Sequence, residues 1–594
     1  MTVLVAHETV PGTEVYGPGT FIDKKVVPVP EDTRRIFEWI ASNTPGFTQD
    51  RTIWDTIHFE GNPEPMIPGP IKAPSVAASL HAMCGVVANE ILELRHGQPL
   101  AKSSVSINTD QAGIWLGSVF TSYIQGSDVS ALFRSGKLAD LFERNWEKGF
   151  GRGIASRATA LYQTKDPGVW YQLHGSLDAE KALSSMGIDT NVTFDTLQGY
   201  YDYVQEQVLK WGPDELEMHN VRNGLCGSIC YTPEGWRKTE MGKQLRKHPL
   251  VNYTHETYAI PTPKVPWPKV PSDSRPLAGV KVLEMVRIIA GPCIGTILAA
   301  FGADVIRVNS SDLADLNVRC PVASFSSRML TSQVLQLVLN AGKRTIDLDI
   351  KKPEDFARLQ ELLQDVDIFV QGFRYGSFDR KGLGLRHLLE LAGKRGKGII
   401  YVDENTYGPD GPFAERPGWQ QIGDAASGSS YIIGRSQGHP HGKSILPPLP
   451  ISDMTTGLVG ALGAMMALRD RATKGGSYHI VSSLVSADAI ALEPEVGLYP
   501  LDQVQKTAEK FEFVPTDPGQ FVSEILANVC DGWKKGLPGY LDEDSPLMTH
   551  YSDGPWAPQT ILKPVVRLGD EKATPRWSSA PVPNCHHDRN ITWL

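Results

Sequence analysis

The sequence predicts an α/β fold built on a parallel, doubly wound sheet, and two observations lead to this prediction. From Leu277 onward, buried strand patterns alternate with helix patterns, which is typical of strands joined by helical crossovers. A long segment also occurs twice, once in each half of the chain. Because ligands of such sheets collect where the parallel strands end, we expect the functional site at that edge.

The predicted elements follow one another in a regular order. The strand AGVKVLEMV is followed by AGPCIGTILAAFG, which begins as a turn and continues as a helix. ADVIRVN and KRTIDLDI are the next strands. The helix PEDFARLQELLQDV has proline in its first turn, where a missing N–H is tolerated. The strands DIFVQGF and GIIYVDENTYG complete the predicted parallel sheet.

The repeated segment covers residues 75–116 and 453–492. Each copy reads as a long apolar helix rich in alanine and glycine, a short basic turn, a β-branched strand and a second helix of small residues. The sequence after the first copy and the sequence before the second copy have no counterparts. This order predicts a rearranged, partly duplicated fold in which the two long helices pack about a pseudo-two-fold axis.

Composition and periodicity divide the chain into regions. We predict an N-terminal extension (1–70), a compact region (71–258), a stiff proline-rich linker (259–276), the parallel-sheet region (277–495) and a C-terminal tail that wraps the surface (496–594).

Charge and cysteine content exclude several classes of partner. The net charge is −9 without a basic stripe, which argues against nucleic acid and anionic membranes. The seven cysteines are scattered and form no CxxC motif, so we expect reduced thiols and no metal. The longest apolar run, TGLVGALGAMMAL, is too short to cross a bilayer. We therefore expect a cytoplasmic protein, with a peroxisomal or mitochondrial location left open.

Several blocks in the second half of the chain carry a resemblance to a known family. In order, they are VKVLEMVRIIAGP, GADVIRV, LNAGKRTIDLDIKKPED, DIFVQGFRYGSFDRKGLGL, YGPDGPFAERPGW, DAASG and ISDMTTGLVGALGAMMALRDRATKGG. This series resembles the family III CoA-transferases, which include formyl-CoA transferase, the carnitine CoA-transferases and α-methylacyl-CoA racemase. The match covers about 277–492, and residues from about 70 to 255 resemble the second half of the same family.

The resemblance implies a Rossmann-like large domain plus a smaller α+β domain, with the internal duplication of a rearranged, fungal-type member. It also implies a homodimer or a pseudo-dimeric monomer. Coenzyme A or an acyl-CoA is implied as substrate, bound by basic side chains at its phosphates and by small residues along its pantetheine arm. The implied binding residues are Ala290, Gly291, Arg307, Leu339, Lys343, Arg344, Phe373, Arg374 and Arg380. Lys343, Arg344 and Arg380 have an alternative interpretation as solvated surface charges.

The implied catalytic residues are Gln420 and Asp453. By the resemblance, the transferases carry a nucleophilic aspartate directly after an RPGY-like segment, which reads RPGWQ here, so that Gln420 stands in its place. The racemases carry a histidine where Trp419 stands. An amide forms no anhydride and takes up no proton near neutral pH. The proton chemistry then passes to Asp453, which matches the family's second acid, unless that side chain serves only as a helix cap.

Other polar residues near these segments are further candidates. His439 and His441 lie in the loop IIGRSQGHPHGKS, where the resemblance implies a mobile loop over the site. Either histidine is a candidate acid or base, with an exposed polar loop as the alternative. The acids around the same site are Glu404, Asp410, Glu415 and Asp424. Asp424 is the best candidate among them to face the pocket, but the favoured interpretation of each is a surface carboxylate.

Together these features predict an enzyme that acts on an acyl-CoA or a related small carboxylic acid. The predicted reaction is CoA transfer or proton transfer next to the thioester, and no metal is expected. Two alternatives stay open: a repurposed pocket that acts as a lyase, isomerase or cyclase without CoA, and a catalytically inactive assembly partner.

Overall fold

The computed structural model describes residues 7–138, 153–176, 178–257, 260–311, 328–440 and 442–594. The strands are β1 Thr9–Pro11, β2 Phe21–Asp23, β3 Ile57–Glu60, β4 Val105–Asn108, β5 Tyr123–Ile124, β6 Ser127–Asp128, β7 Ala160–Gln163, β8 Trp170–His174, β9 Cys226–Ile229, β10 Asn252–Glu256, β11 Lys281–Met285, β12 Asp304–Asn309, β13 Lys343–Asp347, β14 Ile368–Gln371, β15 Ile400–Asn405, β16 Ser477–Ser483, β17 Met548–Tyr551, β18 Gln559–Leu562 and β19 Val566–Leu568. The helices are α1 Val29–Ser42, α2 Arg51–Trp54, α3 Ala73–His96, α4 Thr109–Leu116, α5 Val129–Arg134, α6 Ala179–Ser185, α7 Leu197–Val208, α8 Pro213–Asn223, α9 Pro233–Lys238, α10 Glu240–Leu245, α11 Ala290–Ala300, α12 Arg328–Leu339, α13 Pro353–Leu363, α14 Leu385–Arg395, α15 Gln420–Ser427, α16 Ser429–Ser436, α17 Ile451–Lys474, α18 Leu484–Ala489, α19 Leu501–Phe511 and α20 Val522–Gly536.

A seven-stranded sheet with the order β10-β16-β15-β14-β11-β12-β13 forms the centre of the fold. Its strands are parallel except for β10, which pairs antiparallel with β16 at one edge. Each of the strands predicted from Leu277 onward is present. The edge strand β10 was missed because NYTHE is short and polar. It precedes the proline-rich linker, so both halves of the chain build one sheet.

Strand alternation separates the two faces of this sheet. On one face, Val282, Val370 and Val402 belong to a core that also contains buried residues of α11 and α17. On the other face, Leu283 and Tyr401 belong to a core with buried residues of α13 and α14. The sheet is therefore covered by helices on both sides, as the alternation of strands and helices predicts.

The two long helices of the repeated segment pack against each other in the interior. Helices α3 and α17 each have 24 residues and are long and apolar enough to cross a membrane. However, the apolar stretches of these helices are 94% and 100% buried inside the protein, which fits core helices. The element order α3-β4-α4 matches the order α17-β16-α18. Duplication and a pseudo-two-fold axis stay predictions.

A smaller α+β unit forms around the antiparallel strands β7, β8 and β9. Its own core contains Tyr162 and Leu173 from the strands together with Val204 of α7 and Leu216 of α8. Helix α15 of the parallel-sheet region contacts β8 and β9. The smaller unit therefore lies beside the segment that leads from β15 to α17.

Candidate active site

A cavity of about 610 Å³ lies at the carboxyl edge of the parallel sheet. Its wall includes the last residues of β11, β12, β14 and β15 and the segments that follow them. The first turn of α17 contributes Asp453, and the smaller α+β unit contributes Ser176. The cavity lies where the sequence analysis expects a site, at the ends of the parallel strands.

Asp453 presents its carboxyl group to this cavity. It is the third residue of α17, whose N-cap is Pro450, and α17 has no side-chain cap hydrogen bond. Capping therefore does not explain Asp453. Within the described parts of the chain, no hydrogen bond or ion pair engages its carboxyl group. Burial raises the pKa of Asp453 to about 7. This acid is available for chemistry in the cavity.

Two more carboxyl groups reach the cavity from the end of β15. Asp403 and Glu404 are neighbours in the strand, so their side chains leave opposite faces of the sheet. The Gln371 amide donates a hydrogen bond of 2.6 Å to Asp403 Oδ1, and burial raises the pKa of Asp403 to about 7. Burial, followed by repulsion from Asp453, raises the pKa of Glu404 well above its ordinary value. The cavity thus holds several acids that retain protons at higher pH than usual.

Gln420 does not face the cavity. Its amide donates to Asp424 Oδ2 at 3.0 Å and to the Leu449 carbonyl at 3.3 Å. Residues 420 and 424 lie one turn apart on the inner side of α15, so this pair is internal. The predicted catalytic position of Gln420 is therefore corrected to a buried hydrogen bond. Asp424 is fully buried and does not reach the cavity wall either, whereas Glu404 and Glu415 do.

Trp419 does line the cavity and connects it to the smaller α+β unit. Its indole N–H donates to Ser176 Oγ at 3.2 Å, and its ring stacks on His174 with the ring centroids 5.9 Å apart. The segment that leads into α15 is thus fixed by residues from the first half of the chain. This contact explains why the two halves share one site.

Three of the predicted CoA-binding residues line the cavity: Ala290, Phe373 and Arg374. Ala290 is the first residue of α11, the helix that follows β11. Phe373 stacks on Phe378, and the Arg287 guanidinium lies 5.0 Å from the Phe373 ring centroid. Arg374 is exposed at the rim. These three residues line the cavity, and their role in CoA binding stays a prediction.

Other predicted phosphate contacts are internal. Lys343 is 1% exposed, and its Nζ donates to Glu284 Oε1 at 2.7 Å and to the Pro292 carbonyl at 2.6 Å. Arg307 is buried and donates to Asn340 Oδ1 at 2.7 Å. The prediction that these two cations bind phosphate is wrong, because both point into the sheet's covered face. Leu339 is also buried, and its carbonyl accepts a hydrogen bond from Thr296.

Two further basic residues lie away from the cavity wall. Arg344 donates two hydrogen bonds of 2.7 Å to the Asp304 carboxylate and one of 2.7 Å to the Thr592 carbonyl. Arg380 is exposed but does not belong to the cavity lining. The predicted role of Arg344 is corrected to a contact that holds the C-terminal tail, and Arg380 fits the alternative of a solvated charge.

The predicted loop histidines do not complete the site. His439 lies next to the Thr516 carbonyl, with Nε2 3.2 Å from the oxygen, and it is not part of the cavity wall. The expected role of His439 as a catalytic acid or base is therefore corrected to a contact with the C-terminal region. His441 lies outside the described residues.

Sequence reasoning missed several residues that do line the cavity. Arg287 and Asp403 are not among the predicted site residues, and Asp424 was preferred to Glu404 as the acid that faces the pocket. The signal was present in the strand pattern. In IYVDEN, the alternation that buries Ile400 and Val402 on one face carries Glu404 to the same face.

Comparison with known proteins agrees with the geometry. Residues 277–518 match the family described as CoA-transferase family III. The chain is 43% identical to an "Acyl-CoA transferase" of Gibberella moniliformis over 97% of this chain and 98% of that protein. It is 33% identical to "Acetyl-coenzyme A transferase nodX" of Hypoxylon pulicicidum over 72% and 70% of the two chains. A solved structure of a CAIB/BAIF family protein from Brucella suis is similar over 36% of this chain and 55% of that chain, with 28% identity and a TM-score of 0.30.

The chain therefore belongs to CoA-transferase family III. The predicted class, an enzyme of the family III CoA-transferase type that acts on an acyl-CoA, is confirmed. CoA thioesters are accordingly its substrates.

Proposed function

We propose that this protein transfers CoA from an acyl-CoA donor to a carboxylic acid, with the Asp453 carboxylate as the nucleophile. One observation carries the proposal: within the described residues, Asp453 is a buried acid of the cavity whose carboxyl group has no protein partner. A carboxylate without a partner keeps its lone pairs for a substrate carbon. The names of the two fungal relatives, an acyl-CoA transferase and an acetyl-coenzyme A transferase, support the same reaction type.

The proposed CoA transfer takes up and releases no proton overall. The Asp453 carboxylate attacks the thioester carbonyl carbon, the C–S bond breaks, and a mixed anhydride and CoA thiolate result. The thiolate then attacks the Asp453 carbonyl of the anhydride, which releases the donor acid and leaves a thioester on Asp453. The acceptor carboxylate attacks this thioester and expels the thiolate, which forms a second anhydride. Thiolate attack on the acceptor's carbonyl releases the new acyl-CoA and regenerates Asp453.

The cavity mouth has groups suited to a nucleotide thioester. Arg374, Lys351 and Lys381 are cations of the wall and offer charge to phosphates. Tyr375 is 76% exposed beside them and offers a ring on which a base stacks. The mouth thereby suits the charged end of CoA, while Asp453 suits its thioester end.

The test is a transfer assay with acetyl-CoA and succinyl-CoA as donors and a panel of carboxylic acids as acceptors. We expect transfer by the wild-type protein and a loss of about 10³-fold or more in Asp453→Asn. The matched control is Asp502→Asn, because Asp502 is an exposed acid in the first turn of α19. Equal activity of Asp453→Asn and the wild-type protein would overturn the proposal.

A second candidate function is proton transfer at the carbon next to the thioester. The observation that favours it is the set of three carboxyl groups, Asp403, Glu404 and Asp453, around one cavity. Paired carboxyl groups with different pKa values act as acid and base. Incubation of an acyl-CoA with the protein in D₂O distinguishes the two reactions. Deuterium at the α-carbon, with no need for an acceptor acid, indicates proton transfer, and its absence during CoA transfer excludes it.

A further inference from the structure

Glu404 has an unusual position for an acid at the end of a central strand. The alternation of β15 places it on the same sheet face as Ile400 and Val402. That face is covered by α11 and α17, and α17 carries Asp453. Glu404 and Asp453 therefore approach the cavity from a strand and a helix that face each other.

The fold leaves room for the Glu404 carboxyl group by means of glycine. A Cβ atom at Gly372 would lie 2.5 Å from Glu404 Oε2, and a Cβ atom at Gly291 would lie 3.6 Å from it. Gly372 follows β14, and Gly291 lies in the first turn of α11. Among the residues that the structure describes, no side chain forms a hydrogen bond or an ion pair with this carboxyl group. It is placed at the cavity without a structural partner.

The charges around Glu404 favour its neutral form. Asp453 repels it most strongly among the neighbouring charges, and Asp403 on its own strand repels it as well. The other charged or titratable groups that line the same cavity come from the segments around the strand ends and from β15 and β16: Arg287, Asp349, Lys351, Arg374, Tyr375, Asp379, Lys381, Tyr401, Glu415, Arg416 and His479. Two buried carboxyl groups that repel each other do not both ionise readily. If Asp453 is the ionised nucleophile, Glu404 is the group that keeps its proton.

We infer that Glu404, as a neutral carboxylic acid, donates a hydrogen bond to the acyl carbonyl oxygen of the thioester while Asp453 attacks the carbonyl carbon. This inference rests on the proposed function. Negative charge builds up on that oxygen as the tetrahedral intermediate forms, and a fixed donor stabilises it most strongly at that moment. The proton stays on Glu404 throughout, so each transfer step remains balanced as written above.

The experiment compares Glu404→Gln with Glu404→Ala in the transfer assay, with thermal melting as the check on folding. The glutamine amide still donates, so we expect Glu404→Gln to keep kcat within about tenfold of the wild-type value. Glu404→Ala removes the donor and is expected to lose about 10²–10³-fold in kcat. The wild-type kcat should fall at alkaline pH as Glu404 ionises, and Glu404→Gln should lack this alkaline fall.

The possible results separate this inference from the proposed function. An active wild-type protein, an inactive Asp453→Asn and an unchanged Glu404→Ala would overturn the inference alone. Glu404→Gln as inactive as Glu404→Ala would also overturn it, because an ionised carboxylate would then be required. Infrared spectra give a readout without substrate: the wild-type protein near neutral pH should show a protonated-carboxyl band that Glu404→Gln lacks. Absence of that band overturns the inference whatever the assay shows.

Discussion

The folded protein becomes less stable when the Asp453 carboxyl group loses its proton. Its pKa is raised from 3.8 to about 7 by burial, so the folded state holds this proton more tightly than the unfolded state. When the pKa of an acid is raised in the folded state, its contribution to the free energy of unfolding is complete at low pH. This contribution is lost as the pH rises between the two pKa values. The nucleophile therefore costs stability at the pH at which it is reactive.

The first prediction follows from this linkage. Asp453→Asn cannot ionise, so its stability relative to the wild-type protein should increase from about pH 4 to about pH 7 and then stay level. We expect a difference on the order of a few kcal/mol at pH 7. Denaturant unfolding of both proteins across this pH range measures it. A difference that does not change with pH would contradict the raised pKa.

The second prediction concerns the cavity mouth. Arg374→Glu removes a phosphate contact and adds repulsion, so CoA affinity should fall by about 2–4 kcal/mol. Isothermal titration with CoA measures this change. The control is Arg386→Glu, since Arg386 is an exposed arginine of α14 outside the cavity wall. Equal losses in both variants would indicate a general effect of charge and remove Arg374 from the site.

At the scale of elements, a buried ion pair connects two strands that are not neighbours. Lys343 of β13 and Glu284 of β11 meet on the same face, with β12 between their strands. Both side chains are fully buried, and Arg307 of β12 lies 3.8 Å from the same carboxylate oxygen. These contacts fix the spacing of three strands beneath the cavity.

The third prediction tests this pair. Lys343→Met leaves Glu284 buried without its main partner and should cost about 3–5 kcal/mol of stability. Lys343→Met combined with Glu284→Gln removes the uncompensated charge and should recover part of that loss. Denaturant unfolding measures both. CoA affinity per folded molecule should stay unchanged, and a selective loss of CoA binding in a stable Lys343→Met protein would restore the original phosphate assignment.

The same elements show what the sequence predicts and what it does not. The strands from Leu277 onward and the site at their carboxyl ends were predictable, because β-branched runs and helix patterns are local signals. The partner of Lys343 was not predictable, because Glu284 comes from another strand. Glu404 could have been found by counting strand alternation. Gln420 was misassigned because its motif gives a position in sequence, whereas the direction of its side chain depends on where α15 packs.

At the scale of the whole molecule, the C-terminal tail covers the edge of the central sheet that is formed by β13. Thr345 Oγ1 of the edge strand β13 donates to the Pro583 carbonyl at 2.6 Å, and Asn340 Nδ2 donates to the Val582 carbonyl at 2.8 Å. Further along, Arg358 Nε donates to the Arg589 carbonyl at 3.1 Å. An uncovered edge strand is a template for aggregation, so the tail protects this edge. The predicted homodimer or pseudo-dimeric monomer stays a prediction that light scattering tests.

The fourth prediction is that deletion of residues 581–594 lowers the melting temperature and increases aggregation on heating. The physical reason is the loss of the tail's hydrogen bonds to β13 and its neighbours. Deletion of Leu594 alone is the control, because this residue is 90% exposed. Light scattering during a thermal melt records both effects. A truncated protein that melts and scatters like the control would show that the tail does not protect the edge.

The central claim is that CoA transfer passes through the Asp453 carboxylate in the cavity at the sheet's carboxyl edge. The most direct measurement is to incubate the protein with an acyl-CoA donor, quench with hydroxylamine and locate the hydroxamate by peptide mass spectrometry. A thioester or anhydride on an aspartate reacts with this nucleophile, whereas a free carboxylate does not. We predict a hydroxamate at Asp453 in the wild-type protein and none in Asp453→Asn. A hydroxamate at another residue, or active transfer without modification of Asp453, would contradict the account.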